Sequence, residues 1–271
     1  MVSISLPQMK YPKGIVLYHG PSVLNPKEKV VCIATGFQRK TKNPKTGDMI
    51  QTWILPANKN PCNAYFDGED TAVCGNCKHR SKTSGGLGTC YVPVHQAPYM
   101  VWEAWKRGSY DNPTLGSLAY FKNRNLRIGS YGDPAVIPFE VWDTITQEVN
   151  NWVGYTHQFN NAKTDKRLKN IIMASVDSER ERELAVSRGW RTFRIRTPNS
   201  ELMDKEFVCP ASKEAGHRLT CVECNACRGG ENDGKKGTVA IIIHGRGYKQ
   251  KWFIKAYEAY KQKKGWNYHV K

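Results

Sequence analysis

Eight of the nine cysteines fall into two groups whose spacing suits metal ligation. Cys62, Cys74, Cys77 and Cys90 form a C-x11-C-x2-C-x12-C pattern, and Cys209, Cys221, Cys224 and Cys227 form a second set ending in C-x2-C-x2-C. A two-residue gap lets a tight turn aim two thiolates at one point, which a metal ion or an iron–sulfur cluster requires. In the second set three cysteines follow at successive two-residue gaps, closer to ferredoxin-type runs than to the separated pairs of zinc knuckles. Cys209 supplies its fourth ligand, with His217 as a substitute. In the first set Cys74 and Cys77 are the rigid half. Two outcomes are open there. Four bound cysteines make a structural Zn2+ site. Three, with Cys62 standing off, leave a [4Fe-4S] cluster with one open iron. The bland alternative for both sets is free thiols. Cys32 lies inside an apolar run and reads as a small core residue.

Other polar residues gather where apolar strands are expected to end. Gly132 and Asp133 close LRIGSYGDP, where Arg127 also lies, Tyr155 and His157 close WVGYTH, Ser175 and Asp177 close IIMASVD, and His244 closes TVAIIIHG. The C-terminal ends of parallel strands carry the chemistry in barrels and open α/β sheets. Asp133, Tyr155 and His157 are therefore candidate catalytic residues, and Gly132, Asp133 and Ser175 candidate cofactor contacts. For Asp133 the competing reading is an Asp-Pro turn.

The elements that must position these groups follow from the residue pattern. KVVCIATGF (29–37) and MIQTWILPA (49–57) are strand candidates joined by a basic turn, RKTKNPKTGD. Tyr99, Trp102 and Trp105 share one helical face, and a second helix is expected to run to Tyr120. Strands at 126–130, 152–157, 171–176 and 190–195 alternate with helices opened by Pro138 and capped by Ser178. A further strand covers 238–245, and a basic amphipathic helix, with Trp252, Ala256 and Tyr260 on one face, ends the chain. Strands about 20 residues apart with helices between them point to an α/β fold, a partial or complete TIM-type barrel of βα units. Three regions are expected: a β-rich N-terminal segment (1–60) packed on the main domain, a barrel-like domain with both cysteine clusters (61–245), and the C-terminal helix (246–271).

The 271 residues carry 41 Lys and Arg against 24 Asp and Glu, a net charge of +17. An excess of this size attracts polyanions, nucleic acid first among them. Basic and aromatic residues interleave in GWRTFRIR (189–196) and after Gly247. Arg191, Arg194, Arg196, Lys249, Lys251 and Lys255 are the candidate nucleic-acid contacts, phosphate meeting cation and base meeting ring. No apolar run reaches the ~18 residues of a membrane span. The N-terminal residues lack a secretory h-region, so a cytoplasmic protein with reduced thiols is expected.

The run LRIGSYGDPAVIPFEVWDTI, then GYTH, then MASVDS, then IIIHG resembles the phage "gene product 88" family over roughly residues 50 to 245. That resemblance implies a phage protein in a host cytoplasm and carries no activity. A more distant likeness is to radical S-adenosylmethionine enzymes, which have a partial barrel and three cysteines on an early loop. It implies that Cys74, Cys77 and Cys90 hold a [4Fe-4S] cluster, that Gly132 and Asp133 stand in for a glycine–acid motif meeting S-adenosylmethionine, and that Cys209, Cys221, Cys224 and Cys227 hold an auxiliary cluster. The C-x3-C-x2-C spacing of those enzymes is absent here. The expectation is a metal-cluster protein acting on or with nucleic acid, with radical S-adenosylmethionine-like chemistry if the first site is open. The alternatives are a non-catalytic nucleic-acid-binding protein with two structural zinc sites, and a phage protein that binds a host factor.

Overall fold

The computed structural model describes residues 11–39, 45–230 and 237–263. Three apolar segments open it as an antiparallel meander: β1 (Gly14–Pro21), β2 (Lys29–Thr35) and β3 (Met49–Pro56). The β-branched run of β2 is buried on both faces, as a strand between two neighbours should be. β3 then pairs in parallel with β4 (Asn125–Tyr131), and the sheet continues in chain order through β5 (Asn151–Thr156), β6 (Met173–Val176) and β7 (Thr192–Arg196). β9 (Thr238–Ile242) follows β7, and the short β8 (Glu206–Val208) forms the outer edge.

The result is a mixed α/β fold on a nine-stranded, mostly parallel sheet. Among the described residues no pairing joins the edges β1 and β8, so the sheet is not a complete barrel. The N-terminal strands are hydrogen-bonded into this same sheet through β3 and β4.

Register makes one face of the parallel half a single surface. Arg127 lies beside Val153, Tyr155 beside Met173, Ser175 beside Phe193, and Phe193 beside Val239. Side chains alternate with period two, so these odd-numbered positions share a face. Val153, Met173, Phe193, Val239 and Ile241 pack there with Met49, Cys209, Cys221 and Cys227. The even-numbered Leu126, Ile128, Trp152, Ala174 and Val176 form the other face. They pack with Trp142 of α4 (Phe139–Thr146) and Ala185 of α5 (Glu179–Ser187). Parallel strands covered on both sides read as continuous apolar runs, which is why their pattern does not alternate in sequence.

The helices follow their local signals, and α3 (Ala97–Lys106) carries Tyr99, Trp102 and Trp105. Ser178 caps α5 by accepting from the Glu181 N–H, with Glu179 and Glu181 in the first turn. α4 starts one residue later than expected, with Pro138 as its N-cap. The terminal helix (Gly247–Lys263) buries Phe253, Ala256, Tyr257 and Tyr260, one stripe at i, i+3, i+4 and i+7. Trp252 is off that stripe and 38% exposed, which corrects its expected place on the packed face. The centre of the basic hairpin turn (40–44), most of the 229–237 loop and the end of the basic helix (264–271) lie outside the described residues. Among the described residues no helix is long and apolar enough to cross a membrane.

Candidate metal centre and cavity

A cavity of about 200 Å³ opens over the odd-numbered face. Seven of the eight clustered cysteines lie on its wall: Cys74, Cys77 and Cys90 from one loop, and Cys209, Cys221, Cys224 and Cys227 from the other.

The first loop brings three cysteines to this wall. Two short helices, α1 (Pro61–Asp67) and α2 (Thr71–Cys74), lead into it. Cys74 ends α2, and Gly75 turns the chain at φ +56°, where a Cβ would stand 2.5 Å from the Gln158 carboxamide. Only glycine permits that approach. Gln158 is fully buried and holds the turn from both sides: its Nε2 donates to the Cys74 carbonyl (3.0 Å) and its Oε1 accepts from Asn76 N–H (3.4 Å). The Cys77 N–H closes on the Cys74 carbonyl at 3.1 Å. The returning chain pairs Leu87 with Lys78 and Cys90 with His79, which carries Cys90 back to Cys77. Arg80 fixes the base of the loop through Asp70 (2.6 Å) and the carbonyls of Gly68 and Gly75.

Cys62 stands apart. It sits in the first turn of α1, is not on the cavity wall, and its thiol is raised by burial alone. Burial is also the leading cause for Cys74, but there Asp70, Cys77 and Cys90 add to it. Cys77 is pushed up by burial too. A bound cation reverses this logic and favours the thiolates. Beside them the Tyr131 hydroxyl is buried without a hydrogen-bond partner.

The second loop is tied down at three of its cysteines, two of them to the sheet. Cys209 N–H donates to Ala240 of β9 (2.8 Å), Cys221 N–H to Lys45 (2.8 Å), and the Cys227 carbonyl accepts from Gly154 of β5 (3.2 Å). Cys221–Cys224 is a single helical turn, α6, capped reciprocally by Thr220 and Glu223. Each of Cys209, Cys221 and Cys227 is raised first by burial and then by other members of the set. The Tyr155 hydroxyl donates to the Cys227 sulfur. His217 Nδ1 donates to the Ala211 carbonyl (3.1 Å), and the residue is not on this wall.

Among the described residues, one trio of His, Cys, Asp or Glu donor atoms lies within 4.8 Å of one another: His79, His157 and Asp177. No three cysteine sulfurs are that close. His79 Nδ1 meets Thr89 Oγ1 (2.6 Å) and its Nε2 meets Asp177 Oδ2 (3.1 Å), where Lys78 also arrives at 2.9 Å. His157 is held down to about 3 by burial first and then by His79, so it is neutral at pH 7. No family model, curated protein or solved structure matches this chain.

Asp133, Tyr155, His157, Gly132 and Ser175 all reach the cavity wall, the strand ends converging as expected. Their roles differ. Asp133 accepts from Thr156 Oγ1 (2.6 Å), His157 N–H (2.8 Å) and Ala135 N–H (3.0 Å), so it ties the end of β4 to the end of β5. Burial pushes its carboxyl up to about 6 in spite of those three donors. Gly132 (φ +82°) passes 2.6 Å from Ile54 at its Cβ position, another approach that only glycine allows.

The arginine expectation is corrected. Arg194 and Arg196 occupy even positions of β7 and point away from the cavity. Arg194 is fully buried on Glu206 (2.7 Å) and Glu179 (3.2 Å), and Arg196 is bound to Ser200 and Glu214. Arg191 donates to the carbonyls of Arg228, Ala226 and Gly237, clamping the end of the second cysteine loop. These three hold the fold and offer no free surface to a polyanion. Lys249 donates to the Cys90 carbonyl, while Lys251 and Lys255 are exposed. Gln158, His79 and Tyr131 were not singled out by the sequence reading. The C-K-H run after Cys77 is the one signal that could have marked His79.

Proposed function

We propose that the protein is an iron–sulfur enzyme with one open and one closed cluster site, acting on or with nucleic acid. The carrying observation is the division of the first cysteine set: Cys74, Cys77 and Cys90 face the cavity and Cys62 does not. Cys74, Cys77 and Cys90 would hold a [4Fe-4S] cluster and leave one iron without a protein ligand. Cys209, Cys221, Cys224 and Cys227 form the closed, auxiliary site. The three cysteines at successive two-residue gaps in the second set, closer to ferredoxin-type runs than to zinc pairs, support iron over zinc.

The strand order from β3 onward, with the first cysteine loop following the first parallel strand, supports a partial barrel whose mouth is this cavity. S-adenosylmethionine is the cofactor the reading carries. An open cluster supplies one-electron chemistry to a ligand on its free iron. Gly132, Asp133 and Ser175 would flank that ligand. Asp133 works as a positioning residue, since its oxygens already hold Thr156 and the His157 backbone. Among the described residues Arg127 has no carboxylate within 4.0 Å, and its donor contact is the Tyr91 hydroxyl (2.7 Å). With Lys45 also on the wall, Arg127 would meet an anionic group in the cavity.

The test is anaerobic purification with iron, sulfide and zinc analysis. Iron with matching sulfide and a broad absorption near ~400 nm, as cysteine-bound iron–sulfur clusters give, is the expected result. A colourless protein holding about two zincs, one per four-cysteine set, would sink this reading and leave the structural-zinc alternative.

A further inference from the structure

Two segments, residues 82–91 and residues 244–252, reach the cavity wall at Thr89, Cys90, Tyr91 and His244 and are packed on each other. The Tyr91 Cβ lies 3.5 Å from the Cβ position of Gly245, and the Trp252 ring lies 3.3 Å from that of Gly88. Lys249 of one segment donates to the Cys90 carbonyl of the other. The rim they make is aromatic and exposed: Tyr91 is 48%, Tyr248 44% and Trp252 38% accessible. The Tyr248 and Trp252 rings stand 5.0 Å apart, and Lys82 Nζ sits 3.8 Å over the indole. Tyr91 continues inward, 5.5 Å from the His244 ring on the cavity wall.

The charge of this rim has one sign. Lys82, Arg246, Lys251 and Lys255 are exposed along it, and neither 82–91 nor 244–255 contains an acidic residue. Large rings turned to water beside cations, with no acid among them, match a ligand that is both flat and anionic. Paired bases in a duplex hide their faces, so exposed rings are of use only to an unpaired strand.

We infer that this rim is a stacking platform for single-stranded nucleic acid, placing a base at the mouth of the cavity beside Cys90. The inference rests on the nucleic-acid part of the proposed function and narrows its substrate class. Tyr248 and Trp252 take bases, Lys82 and Lys251 take phosphates, and Tyr91 marks the way in.

Anaerobically purified full-length protein is titrated with a labelled short homopolymeric single strand, with the matching duplex, and with poly-glutamate as competitor. The single strand is expected to bind more tightly than the duplex. Trp252→Ala and Tyr248→Ala should each weaken it roughly five- to hundredfold, the range found for removing one base–aromatic stack. Lys251→Gln should lower the salt slope by about one phosphate contact. These are surface changes, and an unchanged metal content and far-UV spectrum show that the variants are folded. Equal binding to duplex and single strand, or full affinity in both aromatic variants, overturns the platform while leaving nucleic-acid binding in place. Competition by poly-glutamate equal to that of the strand at matched charge makes the rim a site for acidic peptide and overturns it as well. Absence of all binding removes the nucleic-acid reading with the platform, and the metal analysis then stands on its own.

Discussion

Residues 209–227 bring all four of their cysteines to the cavity, whereas residues 62–90 bring three. The two loops achieve this by different means. The second is sewn to β5 and β9 at its backbone, and Arg191 draws its last carbonyls together. The first is held largely by its own turns and by two buried side chains, Arg80 and Gln158. A closed site on a rigid seat suits electron storage or support. An open site on a loop with a cavity in front of it suits ligand binding. In both loops the cysteine spacing alone is compatible with four ligands, and the placement of one residue, Cys62, separates them.

The largest expected effect tests that separation. Cys74→Ala, Cys77→Ala and Cys90→Ala should each abolish metal at the first site and leave the second loaded. Cys62→Ala should keep both. Iron per chain, with electron paramagnetic resonance of the reduced protein, reads the outcome. Loss of the first site in Cys62→Ala would make the two loops alike, and the open-site reading would go with it.

Next in size is Arg194. Breaking a buried ion pair leaves the partner charge unpaired, and such changes cost about 3–5 kcal/mol. Arg194→Ala should lower stability by that order in urea unfolding, with Glu206 and Glu179 left facing an empty space. Exposed Lys255→Ala should change it by less than about 0.5 kcal/mol. The pair of results separates basic residues that build the sheet from those that present charge.

That distinction was not legible in GWRTFRIR. The strand there is evident, as are β2, β3, β4 and β5, because each is a bounded apolar run. What decides the fate of Arg194 is parity. The odd positions of β7 face the cavity and the even ones the outer layer, and a strand buried on both sides gives no alternation from which to read this. β8 was missed for another reason: three residues, Glu206–Val208, gain strand geometry only by pairing with β9. The convergence of Asp133, Tyr155, His157 and Ser175 was legible, since it follows from strand direction alone. The withdrawal of Cys62 was not, because it depends on that residue lying in the short helix Pro61–Asp67, off the cavity wall.

Asp133 supports the first loop, since its N–H donates to the Val73 carbonyl of α2 at 2.8 Å. Its folded-state pKa, about 6, lies above the ordinary 3.8. The folded protein therefore holds this proton more tightly than the unfolded chain does. The resulting stabilisation is present in full below pH 3.8 and is lost as pH rises through about 6. The full interval corresponds to roughly 3 kcal/mol at 1.36 kcal/mol per pKa unit. Wild type should lose stability across this window relative to Asp133→Asn, which does not titrate. A flat difference between the two from pH 4 to 7 would contradict the assignment.

Gln158 separates the loops at a smaller scale. It touches the Cys74–Cys77 turn and no part of 209–227 among its hydrogen-bond partners. Gln158→Ala leaves the Asn76 N–H without its partner and the Cys74 carbonyl with the Cys77 N–H alone, a cost of about 1–3 kcal/mol. Metal should leave the first site faster under a chelator, and the second site should be unaffected. Equal loss from both would mean that the loops are coupled more closely than their separate anchors imply.

Tyr155 gives the converse case, because its hydroxyl donates to Cys227 in the closed set. A hydrogen bond to a ligating sulfur favours the more negative, reduced form of a cluster and so raises its potential. Tyr155→Phe removes the donor and keeps the ring, which packs 4.5 Å from Phe193. A differential near 1 kcal/mol corresponds to a fall of roughly 40 mV for a one-electron couple. The shift should appear in a redox titration of the second site alone. If the first site moves instead, Tyr155 acts across the cavity rather than on its own cysteine, and the two sites then share one electrostatic environment.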